Sequence, residues 1–274
     1  LVSTDKSSVN KKLIGKALLI QFVLAFFLVK FPLGRNIVMV VSDFVTNVLN
    51  YGVEGLTFVF GPLANTSNGM IFAISVLGNI VFIAALVSAL YYLGVINFVV
   101  KIIGGAIQKV LGTSNVESFV AVANMFLGQT ESPILVSKYL HVMTTSELML
   151  VLISGMGSMS ATVLMGYVGM GIPMEYLLIA GALVPLSSIM VSKLLIPETQ
   201  QEEVVENVVM DRKGAHTNIM SAISEGATNG MQMAFGIGAA LIAITGLVAL
   251  VNGALGVIGL SLQQIISYLF SPLG

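Results

Sequence analysis

Ten residues near the middle of the chain, Asn124-Met125-Phe126-Leu127-Gly128-Gln129-Thr130-Glu131-Ser132-Pro133, set a carboxylate, an amide and a hydroxyl inside apolar sequence. The ten residues before Gly128, Ser118 to Leu127, make a helix of about 15 Å at 1.5 Å per residue, roughly half of the ~30 Å hydrocarbon core of a bilayer. Such a helix cannot span. Gly128 can end it, and Pro133 turns Ser132 away from helical angles while suiting the first turn of a second helix, Pro133 to His141. The expected outline is a re-entrant helical hairpin.

The argument needs a membrane, and the composition supplies one. Of 274 residues, 56% are hydrophobic and 9% charged, with a mean hydropathy of +0.98, against roughly 25% charged residues in a soluble domain. The fold class expected is all-α: a polytopic helical membrane protein with interfacial helices, a re-entrant hairpin and a broken transmembrane helix. A net charge of −1 offers no basic surface, so nucleic-acid binding is set aside. With no cysteine, disulfides, thiolate nucleophiles and cysteine metal sites are excluded. An intramembrane hydrolase would pair a nucleophile such as Ser158 or Ser160 with a base, yet no histidine or aspartate falls in an expected span and no water-activating pair is evident, so the chain is not read as an enzyme.

Backbone that leaves the helix at membrane depth survives only where protein or a wet cavity surrounds it, because each unpaired amide or carbonyl costs several kcal/mol in hydrocarbon. The hairpin therefore implies a site. Its first arm points free carbonyls near Leu127 at the turn, suiting a cation; the second presents free N–H groups near Thr130 to Ser132. Gln129, Thr130 and Glu131 add two-way hydrogen bonding suited to a polar, neutral solute. Ionisable residues inside a membrane mark solute or ion pathways by default. The rival for Glu131, a structural ion pair with Lys138, would have to reach ~10 Å along one helix. Asn124 has its own rival reading, as a cap or a bridge between helices, and His141 is read as an interfacial residue without a role.

Around the hairpin, the chain divides by pattern. Lys6, Lys11, Lys12 and Lys16 precede the apolar run Ala17 to Val29. Asn36, Asp43, Asn47 and Asn50 recur on one helical face, which predicts an interfacial helix or one packed on a neighbour. Ile71 to Ile96 is long enough to span with tilt, and Asn97 to Leu111 repeats the amphipathic pattern. A helix is expected from near Glu147 with a cap at Thr144 or Thr145, broken at Ser154-Gly155-Met156-Gly157-Ser158-Met159-Ser160. Those glycines and serines can instead mean close helix packing; on the functional reading, carbonyls near Ser158 and Met159 face the hairpin and complete the cation site. Pro173 to Ile196 is another span, Pro197 to Lys213 an acidic solvated loop, and Asn218 to Val251 one long helix ended by Asn252-Gly253, with Leu262 to Phe270 beyond. The divisions expected are 1–96 (scaffold spans and interfacial helix), 97–196 (interfacial helix, hairpin and first half of a transport domain), 197–214 (cytoplasmic loop), 215–260 (long scaffold helix) and 261–274 (start of a second half). Lysine and arginine placement puts the N-terminal side and the 197–213 loop in the cytoplasm.

Asn124 to Pro133 resembles the signature of the concentrative nucleoside transporters, which reads closely like Asn-x-Phe-x-Gly-Gln-Thr-Glu-Ala-Pro, with Ser132 in place of the usual alanine. The likeness extends to Asn50-Tyr51-Gly52, Tyr91-Tyr92-Leu93-Gly94-Val95, Leu111-Gly112-Thr113-Ser114 and Ala249-Leu250-Val251-Asn252-Gly253. It implies a homotrimeric transporter of the cell membrane that carries a nucleoside such as uridine inward with Na⁺, which serves as coupling ion; no other cofactor is implied. By motif position, Gln129, Thr130 and Glu131 would hydrogen-bond the nucleobase, Gly128 would admit it closely, and Val163 would line its pocket. Asn124 and Ser158 side chains, with Leu127 and Met159 carbonyls, would bind sodium. A neutral amide at position 124 favours sodium over proton coupling, the alternative. The resemblance also places a second hairpin, with the ribose ligands, beyond Gly274, so the chain is expected to be a fragment; the remaining alternative is a non-transporting membrane scaffold.

Overall fold

The computed structural model describes residues 3–64, 69–126, 139–169, 171–200, 217–257 and 259–271, and the regular structure of these is helical throughout, with no strand. In chain order come α1 (Lys11–Lys30), α2 (Pro32–Phe60), a π-helical turn Ala73–Leu77 running into α3 (Gly78–Leu93), α4 (Val95–Leu111), α5 (Asn115–Ala123), α6 (Thr145–Gly157), a 3-10 turn Ala161–Val163, α7 (Leu164–Gly169), α8 (Met174–Leu195), α9 (Ile219–Gly256) and α10 (Leu262–Phe270). Five segments among the described residues are long and apolar enough to cross a membrane: Lys11–Lys30, Ala73–Leu93, Thr145–Val163, Met174–Leu195 and Ile219–Gly256.

Local chemistry sets the boundaries. The Asn10 side chain accepts from the Leu13 N–H to start α1, and Pro32 takes the first position of α2, where its missing N–H costs nothing. Gly94, at φ 82°, ends α3 with its N–H on the Leu90 and Tyr91 carbonyls; a side chain there would resist the left-handed angle. The span expected over Ile71 to Ile96 therefore stops at Leu93, and α4 starts on a new axis.

On α2 the buried positions Gly34, Val38, Ser42, Leu49, Gly52 and Leu56 form one stripe, while Asn36, Asp43, Asn47 and Asn50 are exposed. The polar face read from the sequence is therefore a real face of a longer helix. Where α2 meets α3, a Cβ on Gly52 would lie 1.8 Å from Asn79 Oδ1, and the Asn79 amide donates to the Leu49 carbonyl at 3.2 Å. The longest packed seam joins α3 to α9. Added Cβ atoms on Gly226 and Gly230 would fall within 2.7 Å of Ser88 and Ala84, so these helices touch backbone to backbone, as small residues allow in membranes.

A second group of helices wraps α5. Val116 to Ala123 are all buried, packed by Ile96 and Val100 of α4, Val151 and Leu150 of α6, Ala17 of α1 and Ile189 of α8. Gly104 brings α4 close, since its Cβ would lie 3.3 Å from the Ser118 carbonyl. A helix of 9 residues spans about 14 Å, too short to cross a bilayer, and here it is encased in protein on every side, which satisfies the solvation requirement.

Other boundaries also differ from expectation. The first hairpin arm runs Asn115–Ala123 rather than Ser118 to Leu127, because Ser114 and Glu117 form a capping box at its start and i→i+3 bonds, Met125 N–H to Val122 O and Phe126 N–H to Ala123 O, tighten the chain after it. α6 begins at Thr145 on a Thr144 cap. Finally, α9 passes through Asn252-Gly253 to Gly256; the Asn252 side chain reaches across to Gln263 and the Leu262 N–H at 2.9 and 2.8 Å, so it holds α10 in place instead of ending α9.

Candidate site where the short helix meets the broken helix

Both helices that build the site begin with the same device. Ser114 Oγ accepts from the Glu117 N–H and Glu117 returns a carboxylate oxygen to the Ser114 N–H, each at 3.1 Å. Thr144 and Glu147 repeat this at 3.2 and 3.0 Å. Each box satisfies two N–H groups that the first turn leaves free. The two helices then run side by side to a second junction. There the fully buried Asn124 donates its side-chain amide to Ser154 Oγ at 2.6 Å.

Beyond this junction α6 breaks. Ser158 takes extended angles, φ −95° and ψ 160°, and residues 158–160 are non-helical before the chain resumes as a 3-10 turn and α7. The break is held from both sides: the Ala161 N–H donates to the Phe126 carbonyl at 3.2 Å, and the Thr162 hydroxyl lies 3.3 Å from the Met233 sulfur of α9. The end of the short arm and the interruption of the spanning helix are thus one place. Buried or half-buried hydroxyls of Ser154, Ser158, Ser160 and Thr162 gather there, with Ser160 and Thr162 bonded at 2.7 Å and Ser158 Oγ on the Gly155 carbonyl at 3.3 Å.

These groups are neutral oxygens. Among the described residues no set of three or more His, Cys, Asp or Glu is arranged to hold a metal. An amide, hydroxyls and backbone carbonyls suit a hard, weakly demanding cation and not a transition metal. Among the described residues, this donor set suits a hard monovalent cation such as Na⁺.

Of the residues singled out in the sequence, Asn124 sits at this junction through Ser154, Ser158 and Met159 lie in the break that follows, and Val163 ends the 3-10 turn just past it, half-buried. Leu127, Gly128, Gln129, Thr130 and Glu131 lie outside the described residues, as do Lys138 and most of the second arm, Pro133 to His141. His141 itself is exposed in a turn. Two participants were missed. Ser154 was seen only as part of a break, and the Ser114-to-Glu117 box was overlooked although Ser-x-x-Glu before an apolar run is a readable signal.

Outside the spans, Glu198 lies against the root of this assembly. Burial pushes its carboxyl up, but the Thr144 hydroxyl and the Lys193 ammonium outweigh that and hold it below the usual carboxylate range.

Comparison with known proteins covers nearly the whole chain. Residues 1–63 match the family model described as Na⁺ dependent nucleoside transporter N-terminus, residues 73–174 the one described as nucleoside recognition, and residues 176–274 the Na⁺ dependent nucleoside transporter C-terminus. An uncharacterized transporter of Haemophilus influenzae is 41% identical over 100% of this chain and 67% of its own. Nucleoside permease NupC of Helicobacter pylori is 38% identical over 91% and 60%. Among solved structures, CNTnw in an inward-facing substrate-bound state superposes with a TM-score of 0.92 at 40% identity, covering 99% of this chain and 68% of that one. An outward-facing form of the same protein gives the same score at 39% identity, so this similarity is one of fold and not of transport state.

Proposed function

The chain belongs to the sodium-dependent nucleoside transporter family, a family of multi-pass membrane transport proteins and not enzymes, and we propose that it takes up nucleosides such as uridine across the cell membrane by symport with Na⁺. The observation that carries this reading is the meeting of α5 with the break after α6, joined by Asn124 to Ser154 and by Phe126 to Ala161. Two interrupted helices leave oxygen-rich, non-helical backbone in the protein interior, which is how helical transporters present ions and solutes with midplane sites.

In this reading the side chains of Asn124 and Ser158 and the carbonyls of Leu127 and Met159 ligate sodium, with Ser154 orienting the Asn124 amide. Gln129, Thr130 and Glu131 hydrogen-bond the nucleobase, Gly128 admits it and Val163 lines its pocket. Sodium orders the turn that carries the base contacts, so each ligand should raise the other's affinity by the same factor. The close α3–α9 seam gives the stiffness of a scaffold to which α1 also belongs, while α5, α6 and α8 form the part that moves. Assembly as a homotrimer, with the 197–214 loop cytoplasmic, completes the proposal.

The experiment is uptake of labelled uridine into cells or vesicles for wild type and Glu131→Gln. Sodium-stimulated, saturable uptake that collapses in the variant supports the reading. Uptake that survives unchanged removes Glu131 from the substrate site, and a protein that assembles but never binds nucleoside is a scaffold.

A further inference from the structure

Away from the site, three carboxylates and one ammonium meet at the root of the two arms. Lys193, near the end of α8, pairs with Glu117 of α5 and lies 3.1 Å from Glu198. Glu198 accepts from the Thr144 hydroxyl at 2.7 Å, and Glu147 accepts from the Ser114 hydroxyl at 2.5 Å. Followed round, these bonds and the two capping boxes make a closed ring through α5, α8, residue 198 and α6. We propose that this ring is a positioning device: it fixes the register of α5 against α6 and so sets the geometry of the sodium site at their far ends. The proposal rests on the sodium reading above for its transport consequence, but its structural part stands separately.

Burial makes stability a weak explanation. Glu117, Glu147 and Lys193 are 1%, 4% and 6% exposed, and taking such ions out of water costs several kcal/mol each, which their attraction often fails to repay. Fixing one arrangement among several is the better-attested role of buried polar pairs. The surroundings are built to hold the charges: the N-termini of α5 and α6 face the carboxylates and the C-terminal turn of α8 carries the lysine, each matching the helix dipole. Ser192 and Ser146 tie α8 to α6 at the same level, through bonds of 3.2 and 2.7 Å to backbone carbonyls.

The register itself is visible in the numbering. An offset of 30 residues relates Asn124 to Ser154 at the tip, and the same offset relates Ser114 to Thr144 and Glu117 to Glu147 at the root. Seven residues, about 10 Å of helix, separate the two levels. Both cross-links, Ser114 to Glu147 and Asn124 to Ser154, belong to one unslipped side-by-side alignment. A shift of either helix by one residue breaks both.

Glu117→Gln is the informative lesion, because glutamine keeps the capping box while removing the charge that binds Lys193. The sodium concentration giving half-maximal uridine binding should rise by roughly tenfold, the lower end of what loss of a supporting partner costs a metal site. Uridine affinity at saturating sodium should not change. Lys193→Met should act alike and Lys193→Arg should restore wild-type sodium dependence. A folded Glu117→Gln protein with unaltered half-saturation, or one losing uridine affinity at saturating sodium as well, overturns the proposal. If wild-type binding ignores sodium, the symport reading fails instead, and the ring is judged by cross-linking. The chain has no cysteine of its own, so Asn124→Cys with Ser154→Cys reports the tip contact alone. Bridging by a short bifunctional thiol reagent should fall when Glu117→Gln is added; equal bridging refutes the register claim.

Discussion

The α3–α9 seam can be probed one methyl at a time. At Gly230 an added Cβ would sit 2.7 Å from Ala84 Cβ, 2.9 Å from Val81 Cα and 3.1 Å from the Ile80 carbonyl. None of these is the movable end of a flexible side chain. Restoring an ordinary carbon contact of 3.5–4.0 Å requires the helices to part by about 1 Å, enough to forfeit a quarter to a half of the dispersion attraction across the seam. Overpacking of this kind costs about 1–3 kcal/mol, partly offset by the ~1 kcal/mol that alanine gains over glycine inside a helix. Gly236, on the same helix, would meet nothing within 4 Å, so Gly236→Ala should collect the gain without the cost. The two variants should therefore differ by about 2 kcal/mol. Thermal unfolding of each in the same detergent measures it, with Gly236→Ala at or above wild type and Gly230→Ala several degrees below. If Gly230→Ala melts with or above Gly236→Ala, α3 and α9 do not touch backbone to backbone.

Other consequences follow from single contacts. Gly52→Ala should disrupt the α2–α3 crossing more than Gly55→Ala, whose Cβ meets nothing within 4 Å; thermal melts of the pair decide. Thr144→Ala removes both a helix cap and a partner of Glu198, and should cost about 1 kcal/mol from the cap alone. The Glu198 carboxyl is held below its ordinary value of 4.5, so its stabilising contribution is present above about pH 4.5 and is lost as pH falls through the lowered folded value. Glu198→Gln should flatten the acid limb of a stability-against-pH curve; an acid limb as steep as wild type contradicts the contact. Cysteines placed in Gln200 to Val209 should react with impermeant thiol reagents only after the cytoplasmic side is opened, and reaction on intact cells would invert the topology.

Much of this architecture could be read from residue pattern. The break at Ser158 to Ser160 is announced by glycine and serine within apolar sequence, and the apolar element Leu262 to Phe270 stops at the Ser271-Pro272 pair. The half-length first arm followed from a polar turn too near the preceding loop, although counting back from Gly128 placed its start three residues late. What could not be read was contact between distant segments. Nothing local in Lys193 reveals that its ammonium closes on Glu117, and a lysine in the last turn of a span is ordinarily read as snorkelling. Asn252-Gly253 misled for a related reason. A polar pair can stay inside a helix when the asparagine finds partners on another element, and that partner is invisible in a local window. The π-helical turn Ala73–Leu77 left no signal in hydropathy at all.

The central claim is that one ion shared by α5 and the interrupted helix prepares the turn that holds the nucleobase. Equilibrium binding of uridine to the purified protein, titrated at zero and at saturating sodium with potassium holding ionic strength constant, tests it most directly. The account predicts a dissociation constant that falls by tenfold or so when sodium is present, a coupling of about 1.4 kcal/mol, and one that Asn124→Ala abolishes. Equal affinity in the two solutions, or a sodium effect that persists without the Asn124 amide, would contradict it.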